Sequence, residues 1–494
     1  MQKIISGSQV KELDKLYVQV SGITPYQLME RAANEFCHWF TANFKKDKTI
    51  NVYCGTGNNG GDGLAIARLL ADQGYFVNVA TIGNREKGST DFIKNLKVLP
   101  SSIPISNWRD LKPSEIIIDA IFGVGINRPL EGEYLELIRR LNEENGVKIS
   151  VDLPSGLPSD TPADGEVFHA AHTVSFQFPK LSLLFPEHAK YVGQLLVKDI
   201  GMEQKHFDAF PSEQYFFSGE SLAAYHKKFH VFSHKGDFGR IILAGGSYGK
   251  MGSICLSTKA SLRTGSGLVF CKIPGCGVNI VQTTIPEAMV LAPSLEMDID
   301  TNIELTGIDA IGVGPGLGKG ENAQKLVHYI LENYAGPTVL DADAINILGE
   351  HSDWLPLLHA NVVLTPHLKE FERLIGERSD NHLQRIKLAK AFCMEHKCCL
   401  VLKGAFSLIS FPDGSQVFNN SGTVYMATGG SGDVLTGMLT SFLGQGYTMK
   451  NAAICAVFHH GDAGELAGDK LRRGTLASDI VENIPQSFLA WDIE

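Results

Sequence analysis

The sequence predicts an α/β protein with two doubly wound domains, each built on a mainly parallel sheet. Its 494 residues exceed what one ordinary hydrophobic core organises. Buried-strand patterns alternate with helical patterns along the chain, which is typical of parallel sheets. Glycine-rich or polar turns follow most of these strands, where open α/β sheets bind their ligands. We therefore expect a ligand-binding groove in each half.

Composition narrows the class of protein. Hydrophobic residues make up 44% and charged residues 20%, as in a globular chain. The net charge of −10 argues against broad binding to nucleic acid or anionic membranes. No signal-peptide pattern or membrane-length apolar run is present. The nine cysteines are scattered without a CxxC pair, which favours reduced thiols over a zinc site. We expect a cytoplasmic protein that acts on small molecules.

The chain begins with two predicted helices and then a phosphate-binding pattern. Residues 8–40 carry two apolar stripes, with Pro25 near the start of the second helix. A buried strand, Thr49–Cys54, runs into GTGNNGGDG and an apolar helix, the βα unit that holds phosphates. The next strand ends without the carboxylate that a dinucleotide-binding fingerprint requires, which argues against hydride transfer. Asn58, Asn59 and Asp62 either bind a cation or ribose phosphate or simply favour the turn, and we favour the ligand.

Polar residues also end the next two predicted strands. The strand at 116–120 carries Asp119 at its end, and the strand at 148–152 ends in Asp152, followed by a turn containing Ser155. Because the carboxyl ends of parallel strands share one sheet edge, these side chains are expected to meet there. Two further strands are predicted at 179–188 and 195–200.

Three segments of this half, NNGGDG, DAIFGVGINRPL and VDLPSG, resemble the epimerase domain of the NAD(P)H-hydrate repair family. The resemblance covers residues 1–215 and implies a Rossmann-like domain. It places Asp152 near the reacting C6 carbon and potassium at Asn59, Asp119 and Ser155. Because relatives of this domain also serve as non-enzymatic scaffolds, a binding module without activity stays open. The implied substrate contacts are Asn58, Asn59, Gly60, Gly61, Asp62, Gly123, Val124, Gly125, Ile126, Asn127, Arg128 and Pro129.

A polar linker at 210–228 separates the two halves of the chain. After it, predicted strands are again followed by glycine-rich or polar turns. Strands are predicted at 240–246, 308–314, 337–340, 361–364 and 399–402, and around VFCKIPG. The last turn, ATGGSGD, carries Gly429, Gly430 and Gly432, whose backbone amides are free to close around an anion. Asp433 stands at the start of the following helix. It is either a helix cap or a base that takes a proton from a hydroxyl attacking a phosphoryl group.

Six segments in order, HKGDFGR, GSYGKMGS, GPGLG, TPHLKEF, KGAFS and TGGSGDVLTG, resemble the ADP-dependent NAD(P)H-hydrate dehydratase domain, a ribokinase-like fold, over residues 225–494. The resemblance makes Asp433 the catalytic base. Glu370 is interpreted as a helix cap, and Asp341 and Asp343 as indirect magnesium holders or a plain strand-end turn. Ser253 departs from the family, which usually has Ala there. The implied substrate contacts are Ser253, Gly316 and His367, and the implied nucleotide contacts are Lys403, Gly404, Ala405, Phe406, Ser407 and Gly432.

The two resemblances together imply one repair activity. ADP donates its β-phosphoryl group to the C6 hydroxyl of the S hydrate, and elimination returns NAD(P)H with AMP and phosphate. The first domain interconverts the R and S hydrates. The implied ligands are NADHX, NADPHX and ADP, with K+ in the epimerase domain and Mg2+ in the dehydratase domain, and we expect a homo-oligomer. The alternative is a vitamin or sugar kinase of the same fold fused to a nucleotide-binding module.

Overall fold

The computed structural model describes residues 1–126 and 128–491, and the chain forms two compact units. The N-terminal unit comprises Gln2–Ser212 with Asn381–Leu383, and the C-terminal unit comprises Met1, Glu213–Asp380 and Gln384–Glu494. No helix within the described residues combines the length and apolar character that a membrane crossing needs.

The N-terminal unit is built on an all-parallel sheet with the order β4-β3-β2-β5-β6-β7-β8. The strand order reverses between β2 and β5, so the loops after these two strands border a crevice in which such folds bind ligands. The strands of this sheet are β2 (Thr49–Cys54), β3 (Phe76–Thr81), β4 (Ile105–Ser106), β5 (Ile116–Ala120), β6 (Val147–Val151), β7 (His172–Phe176) and β8 (Gln194–Lys198), and the short strand β1 (Gln2–Lys3) lies outside it. The helices are α1 (Gly7–Ser21), α2 (Pro25–Asn43), α3 (Asn58–Asp72), α4 (Thr90–Val98), α5 (Gly132–Glu143) and α6 (Ala189–Val192).

Two local predictions for this unit are wrong. Residues 179–188 do not form a strand but two 3-10 turns, Leu181–Leu184 and Pro186–His188, and the strand lies upstream at β7. The apolar run there reflects burial, while its prolines lack the N–H that a sheet ladder needs. The predicted glycine loop is also shorter, because α3 already begins at Asn58. Gly60 permits this, since a Cβ there would overlap the carbonyl oxygen of Gly55.

The C-terminal unit carries a second sheet, in which the order β9-β18-β17-β16-β15-β14-β13-β10-β11-β12 is parallel except around β17. The strands are β9 (Gln214–Phe217), β10 (Arg240–Ala244), β11 (Leu268–Lys272), β12 (Met289–Val290), β13 (Ala310–Val313), β14 (Thr338–Leu340), β15 (Val362–Leu364), β16 (Cys399–Leu402), β17 (Leu408–Ser410) and β18 (Gln416–Asn419). The helices along this part of the chain are α7 (Met251–Arg263), α8 (Val278–Thr284), α9 (Glu321–Asn333), α10 (Ala342–Glu350), α11 (Leu368–Ile375), α12 (His382–His396), α13 (Ser431–Gly444), α14 (Met449–Leu471) and α15 (Ala477–Ala490). The six predicted strands correspond to β10, β11 and β13–β16, whereas the antiparallel extension was not predicted.

Helix α13 is buried from Val434 to Gly444 and packs closely on α7. A Cβ at Gly437 would overlap the carbonyl oxygen of Ser257, so the two helix backbones touch at that point. The Ser257 hydroxyl also donates to the carbonyl oxygen of Asp433 at 2.8 Å. These contacts hold the N-terminal turns of both helices side by side.

Candidate active sites

A buried polar cluster joins the loops after β2, β5 and β6 in the N-terminal unit. The Asp119 carboxylate accepts from the Ser155 hydroxyl at 2.6 Å and from the Ser155 amide at 2.8 Å. The Ser155 hydroxyl accepts in turn from the Phe122 amide at 2.9 Å, while the Asn59 side-chain amide donates to the Phe122 carbonyl at 2.8 Å. Burial raises the pKa of Asp119 to about 6 even though Ser155 donates to it. The cluster thus brings together the three residues predicted to hold potassium.

The donor set of this cluster suits a hard monovalent cation. The side-chain oxygen of Asn59 is buried without a hydrogen-bond partner, which is costly unless something else satisfies it. Amide, hydroxyl and carboxylate oxygens are the ligands that hard cations prefer. Across residues 1–126 and 128–491 no group of three or more His, Cys, Asp or Glu side chains is arranged to hold a metal ion.

Asp152 lies beyond the end of β6 in a strained backbone conformation. Its φ is +66°, a left-handed value that Asp tolerates better than most residues. Its carboxylate forms an ion pair with the Lys180 ammonium and accepts from the Ser175 hydroxyl at 3.2 Å and from the Phe176 amide at 3.3 Å. The side chain of Lys180 is only 3% exposed. The strain and the buried partner together fix the direction of the Asp152 carboxylate.

Two more carboxylates stand within electrostatic reach of Asp152 and Lys180. Burial raises the pKa of Asp14 to about 6, opposed by Lys180 and reinforced by Asp152. Burial and the charge of Asp152 raise the pKa of Asp62 well above its ordinary value. Perturbed carboxylates grouped in one place are typical of acid–base sites. Lys180 and Asp14 were missed in the sequence, although a lone Lys within the apolar run SFQFPKLSLLF is a signal for the first.

The remaining predicted contacts of this unit surround the same crevice. Asn58, Gly60, Gly61 and Asp62 lie in the first turns of α3, and Asn58 is exposed. Gly123 packs against the Asn59 side chain, so the loop after β5 meets α3. This loop continues through Val124, Gly125 and Ile126 to the exposed Arg128 and Pro129. Asn127 lies outside the described residues.

The C-terminal site centres on the first turn of α13. Gly430 precedes the helix with φ +93°, and Gly432 and Asp433 follow within its first turn. Burial raises the pKa of Asp433 to about 6, while a hydrogen bond from Ser253 acts in the opposite direction. The Asp433 side chain does not serve as the helix cap, because Gly430 occupies that position without a side-chain bond. The carboxylate thus keeps its hydrogen bond from Ser253 and lies at a helix N-terminus, which favours anions.

The predicted substrate contacts Ser253 and Gly316 adjoin Asp433. A Cβ at Gly316, which has φ +61°, would lie 3.2 Å from the Cβ of Ser253. The Ser247 hydroxyl donates to the Gly316 carbonyl at 2.8 Å and holds the two loops together. The ends of β10 and β13 thus supply one wall of the site.

A buried carboxylate connects the opposite wall to α13. Lys403 follows β16, and its ammonium lies 2.8 Å from Oδ1 of Asp341 and 4.0 Å from Oε2 of Glu370. Oδ2 of Asp341 accepts from the Thr436 hydroxyl at 2.7 Å. A Cβ on Gly432 would lie 3.2 Å from the Lys403 ammonium, so the lysine reaches the turn that is predicted to bind the phosphoryl group. The role of Thr436 was missed in the sequence.

His367 and Glu370 cap α11 reciprocally. Nδ1 of His367 accepts from the amides of Lys369 at 3.1 Å and Glu370 at 3.3 Å. The Glu370 carboxylate accepts from the His367 amide at 2.8 Å, which confirms the predicted capping role. The imidazole is still 53% exposed, although its Nε2 also lies 3.4 Å from Oε1 of Glu370. The His367 side chain therefore keeps both a structural bond and an accessible face.

The predicted nucleotide segment, residues 403–407, forms the turn between the antiparallel strands β16 and β17. The Ser407 hydroxyl donates to the Gly404 carbonyl at 3.2 Å and accepts from the Gly404 amide at 3.3 Å. Gly404 and Ala405 are exposed, and Phe406 is half-buried. The turn leaves backbone beside Lys403 open to a ligand.

Comparison with known proteins covers both units. A family profile described as NAD(P)H-hydrate dehydratase matches residues 241–486, and one described as YjeF-related protein N-terminus matches residues 25–182. The chain is 33% identical over 511 residues to the bifunctional NAD(P)H-hydrate repair enzyme Nnr of Moorella thermoacetica, covering 98% of this chain and 96% of the relative. It is 32% identical over 485 residues to the Escherichia coli enzyme of the same name, covering 97% and 92%. The ADP/ATP-dependent NAD(P)H-hydrate dehydratase of Bacillus subtilis, a solved structure, is 28% identical with a TM-score of 0.48, covering 56% of this chain and 98% of that one.

Proposed function

Because the chain belongs to the family of bifunctional NAD(P)H-hydrate repair enzymes, we propose which of its residues perform each of the two reactions. The family joins an epimerase and a dehydratase in one chain. The observation that carries the assignment is the contiguity of Gly316, Ser253, Asp433 and Lys403 around the first turn of α13. The residues that we assign to the phosphoryl site, the base and the substrate wall are therefore adjacent in one unit.

In the dehydratase reaction, Asp433 accepts the proton of the C6 hydroxyl as that oxygen attacks the β-phosphoryl group of ADP. The amide of Gly432 and the ammonium of Lys403 stabilise the charge that develops on the transferred group. AMP leaves as the phosphoryl group is transferred. Because phosphate is a far better leaving group than hydroxide, it then departs from C6 while a proton leaves the adjacent ring carbon, which restores the dihydronicotinamide. Ser253 and Gly316 hold the hydrated ring beside Asp433, and His367 closes the substrate side.

We expect Mg2+ to bind at the dehydratase site together with the nucleotide and not alone. Mg2+ usually keeps several waters and binds through one or two carboxylates and substrate phosphates. Both oxygens of Asp341 are engaged by Lys403 and Thr436, which leaves Asp343 as the better candidate of the predicted pair. Asp343 is 20% exposed; its Oδ2 accepts from the Gly318 amide at 2.8 Å and lies 3.7 Å from the Lys250 ammonium, so Oδ1 is the oxygen that would face the ion. When bound, Mg2+ would neutralise phosphate charge.

In the epimerase reaction, Asp152 acts as the base beside C6, and its orientation is maintained by Lys180. Epimerisation needs one group that donates a proton and another that accepts one as the hydroxyl leaves C6 and returns to it. Asp62 and Asp14, whose pKa values are raised, are suited to donate the proton with which the hydroxyl leaves C6 as water, and Asp152 to accept a proton from the water that adds to the opposite face. The residues from Asn58 to Asp62 and the loop after β5 bind the dinucleotide.

Potassium is proposed at Asn59, Asp119 and Ser155, where the unpartnered Asn59 oxygen supports the assignment. A bound K+ would supply a fixed positive charge and hold the loop at Phe122 in place.

The potassium proposal predicts a cation-specific stabilisation. Replacing choline chloride by KCl at constant ionic strength should raise the melting temperature of the wild-type chain, by an amount that corresponds to about 2.7 kcal/mol at 100 times the dissociation constant. Asn59→Ala removes the unpaired oxygen and should abolish the shift, whereas Asn58→Ala, at an exposed neighbour, should keep it. Equal shifts in wild type and Asn59→Ala would exclude a cation at this cluster.

The assigned function is tested by supplying the S hydrate with ADP or with ATP. We expect recovery of dihydronicotinamide absorbance together with AMP and phosphate when ADP is the donor. A vitamin or sugar kinase would instead leave a stable phosphorylated product when ATP and a hydroxylated vitamin are supplied. Detection of that product, with no hydrate turnover, would replace this assignment.

A further inference from the structure

The carboxylate of Asp341 has no role in the reaction described so far, although it is among the most buried charges of the C-terminal unit. Its side chain is 2% exposed. Asp341 occupies the N-cap position of α10, where Asp normally accepts from the helix amides, yet its side chain forms no capping bond. The carboxylate therefore serves another part of the fold.

Both of its oxygens are directed at the phosphoryl site. Oδ1 holds the Lys403 ammonium at 2.8 Å, and Oδ2 holds the Thr436 hydroxyl at 2.7 Å. Thr436 lies one helical turn beyond Gly432, and its hydroxyl is also 3.2 Å from the Gly432 carbonyl oxygen. One carboxylate thus links the ends of β14 and β16 to the first turns of α13.

The link through Asp341 fixes the position of the Lys403 ammonium before a ligand binds. A free lysine has many rotamers and would lose that freedom on binding phosphate. Asp341 orders Lys403 in advance beside Gly432, whose own backbone is fixed through Thr436. A preformed pair of cation and amide costs no reorganisation when charge develops.

The same contacts argue against Asp341 as a metal ligand. An ammonium 2.8 Å from Oδ1 repels a second cation at that oxygen, and the hydroxyl of Thr436 occupies the other. The carboxylate is instead matched to Lys403, since a buried charge needs a partner.

We propose that Asp341 is the positioning residue of the dehydratase, clamping the Lys403 ammonium and the first turn of α13 together so that the nucleotide phosphates meet a preformed site. The proposal rests on the ADP-dependent dehydration assigned above. Asp341 acts through Lys403 and Gly432 and need not touch the substrate.

The test compares steady-state dehydration of the S hydrate by the full chain and its variants. Asp341→Asn should lower kcat/KM for ADP about 100-fold, and Thr436→Val, which keeps the shape but loses the hydroxyl, about 10-fold. Thr436→Ser restores the hydroxyl and should recover most of the activity. Thr440→Val removes a buried hydroxyl one turn further along α13, bonded only to the Thr436 carbonyl at 2.7 Å, and should behave as wild type.

A pH profile separates positioning from a general loss of structure. Asp433 is faced by Asp341, Asp343 and Lys403 and by the Ser253 hydroxyl. Removing the negative charge of Asp341 favours the ionised form of Asp433, so the acidic limb of kcat/KM should move to lower pH in Asp341→Asn. A merely structural role would lower the rate without moving that limb.

The outcomes are distinct. Wild-type kcat/KM and an unmoved acidic limb in Asp341→Asn would overturn the proposal, as would equal losses in Thr436→Val and Thr440→Val. If Asp341→Asn does not fold, the comparison of Thr436→Val with Thr436→Ser decides, since only a hydroxyl-dependent rate supports the clamp. Absence of ADP-dependent dehydration in the wild-type chain would instead remove the assigned function.

Discussion

Asp433→Asn should lower the rate of ADP-dependent dehydration about 10²–10⁴-fold, the range that a positioned general base contributes. The substitution keeps the shape of the side chain but cannot accept the proton of the C6 hydroxyl. Recovery of dihydronicotinamide absorbance from the pure S hydrate measures the loss. Conversion of the R hydrate to the S form, followed by chiral separation, should be unchanged because that reaction belongs to the other unit.

The wild-type enzyme should also lose kcat/KM for dehydration as the pH falls through about 6. Burial raises the pKa of Asp433 to about 6, and only its ionised form accepts a proton. Asp469→Asn, at an exposed position on α14, is the matched control and should retain full activity. A dehydration rate in Asp433→Asn equal to that of this control would exclude Asp433 as the base.

Asp152→Asn should have the opposite effect to Asp433→Asn, impairing epimerisation and leaving dehydration intact. Without the carboxylate beside C6, epimerisation should fall about 10²–10⁴-fold, while dehydration of pure S hydrate continues. The amide also leaves Lys180 buried without its counter-charge, so a thermal melt must show that the chain is folded. Asp72→Asn, an exposed carboxylate at the end of α3, is the control. Unaltered epimer interconversion in Asp152→Asn would favour a binding module without catalysis.

The sequence predicted the parts of the fold that local pattern determines. Strands β2 and β16 have the predicted bounds, and Pro25 begins α2 because its ring suits the first helical turn. The meeting of Asp119 with Ser155 followed from the geometry of parallel strands, whose carboxyl ends share an edge. Contacts of this kind can be predicted from the order of strands and helices along the chain alone.

Contacts between distant segments were not predicted. Thr436 and Asp341 are 95 residues apart, and no spacing rule links a helix interior to that strand end. Lys180 and Asp152 are 28 residues apart, and the left-handed φ of Asp152 at this ion pair has no signature in the sequence. Strands β17 and β18 escaped prediction because no helix separates them from β16 or from each other, so they fall outside the strand–helix alternation by which the other strands were recognised.

Gly437 links the geometry of the proposed dehydratase site to a helix contact outside it. Because Gly437 has no side chain, direct backbone contact with Ser257 sets the separation of Ser253 from Asp433 one turn away. Even a methyl group at this position would push the two helices apart. It would move Ser253 away from Asp433 although both side chains remain present. We therefore expect a substitution at Gly437 to abolish dehydration in a relative that retains all the side chains assigned to the reaction.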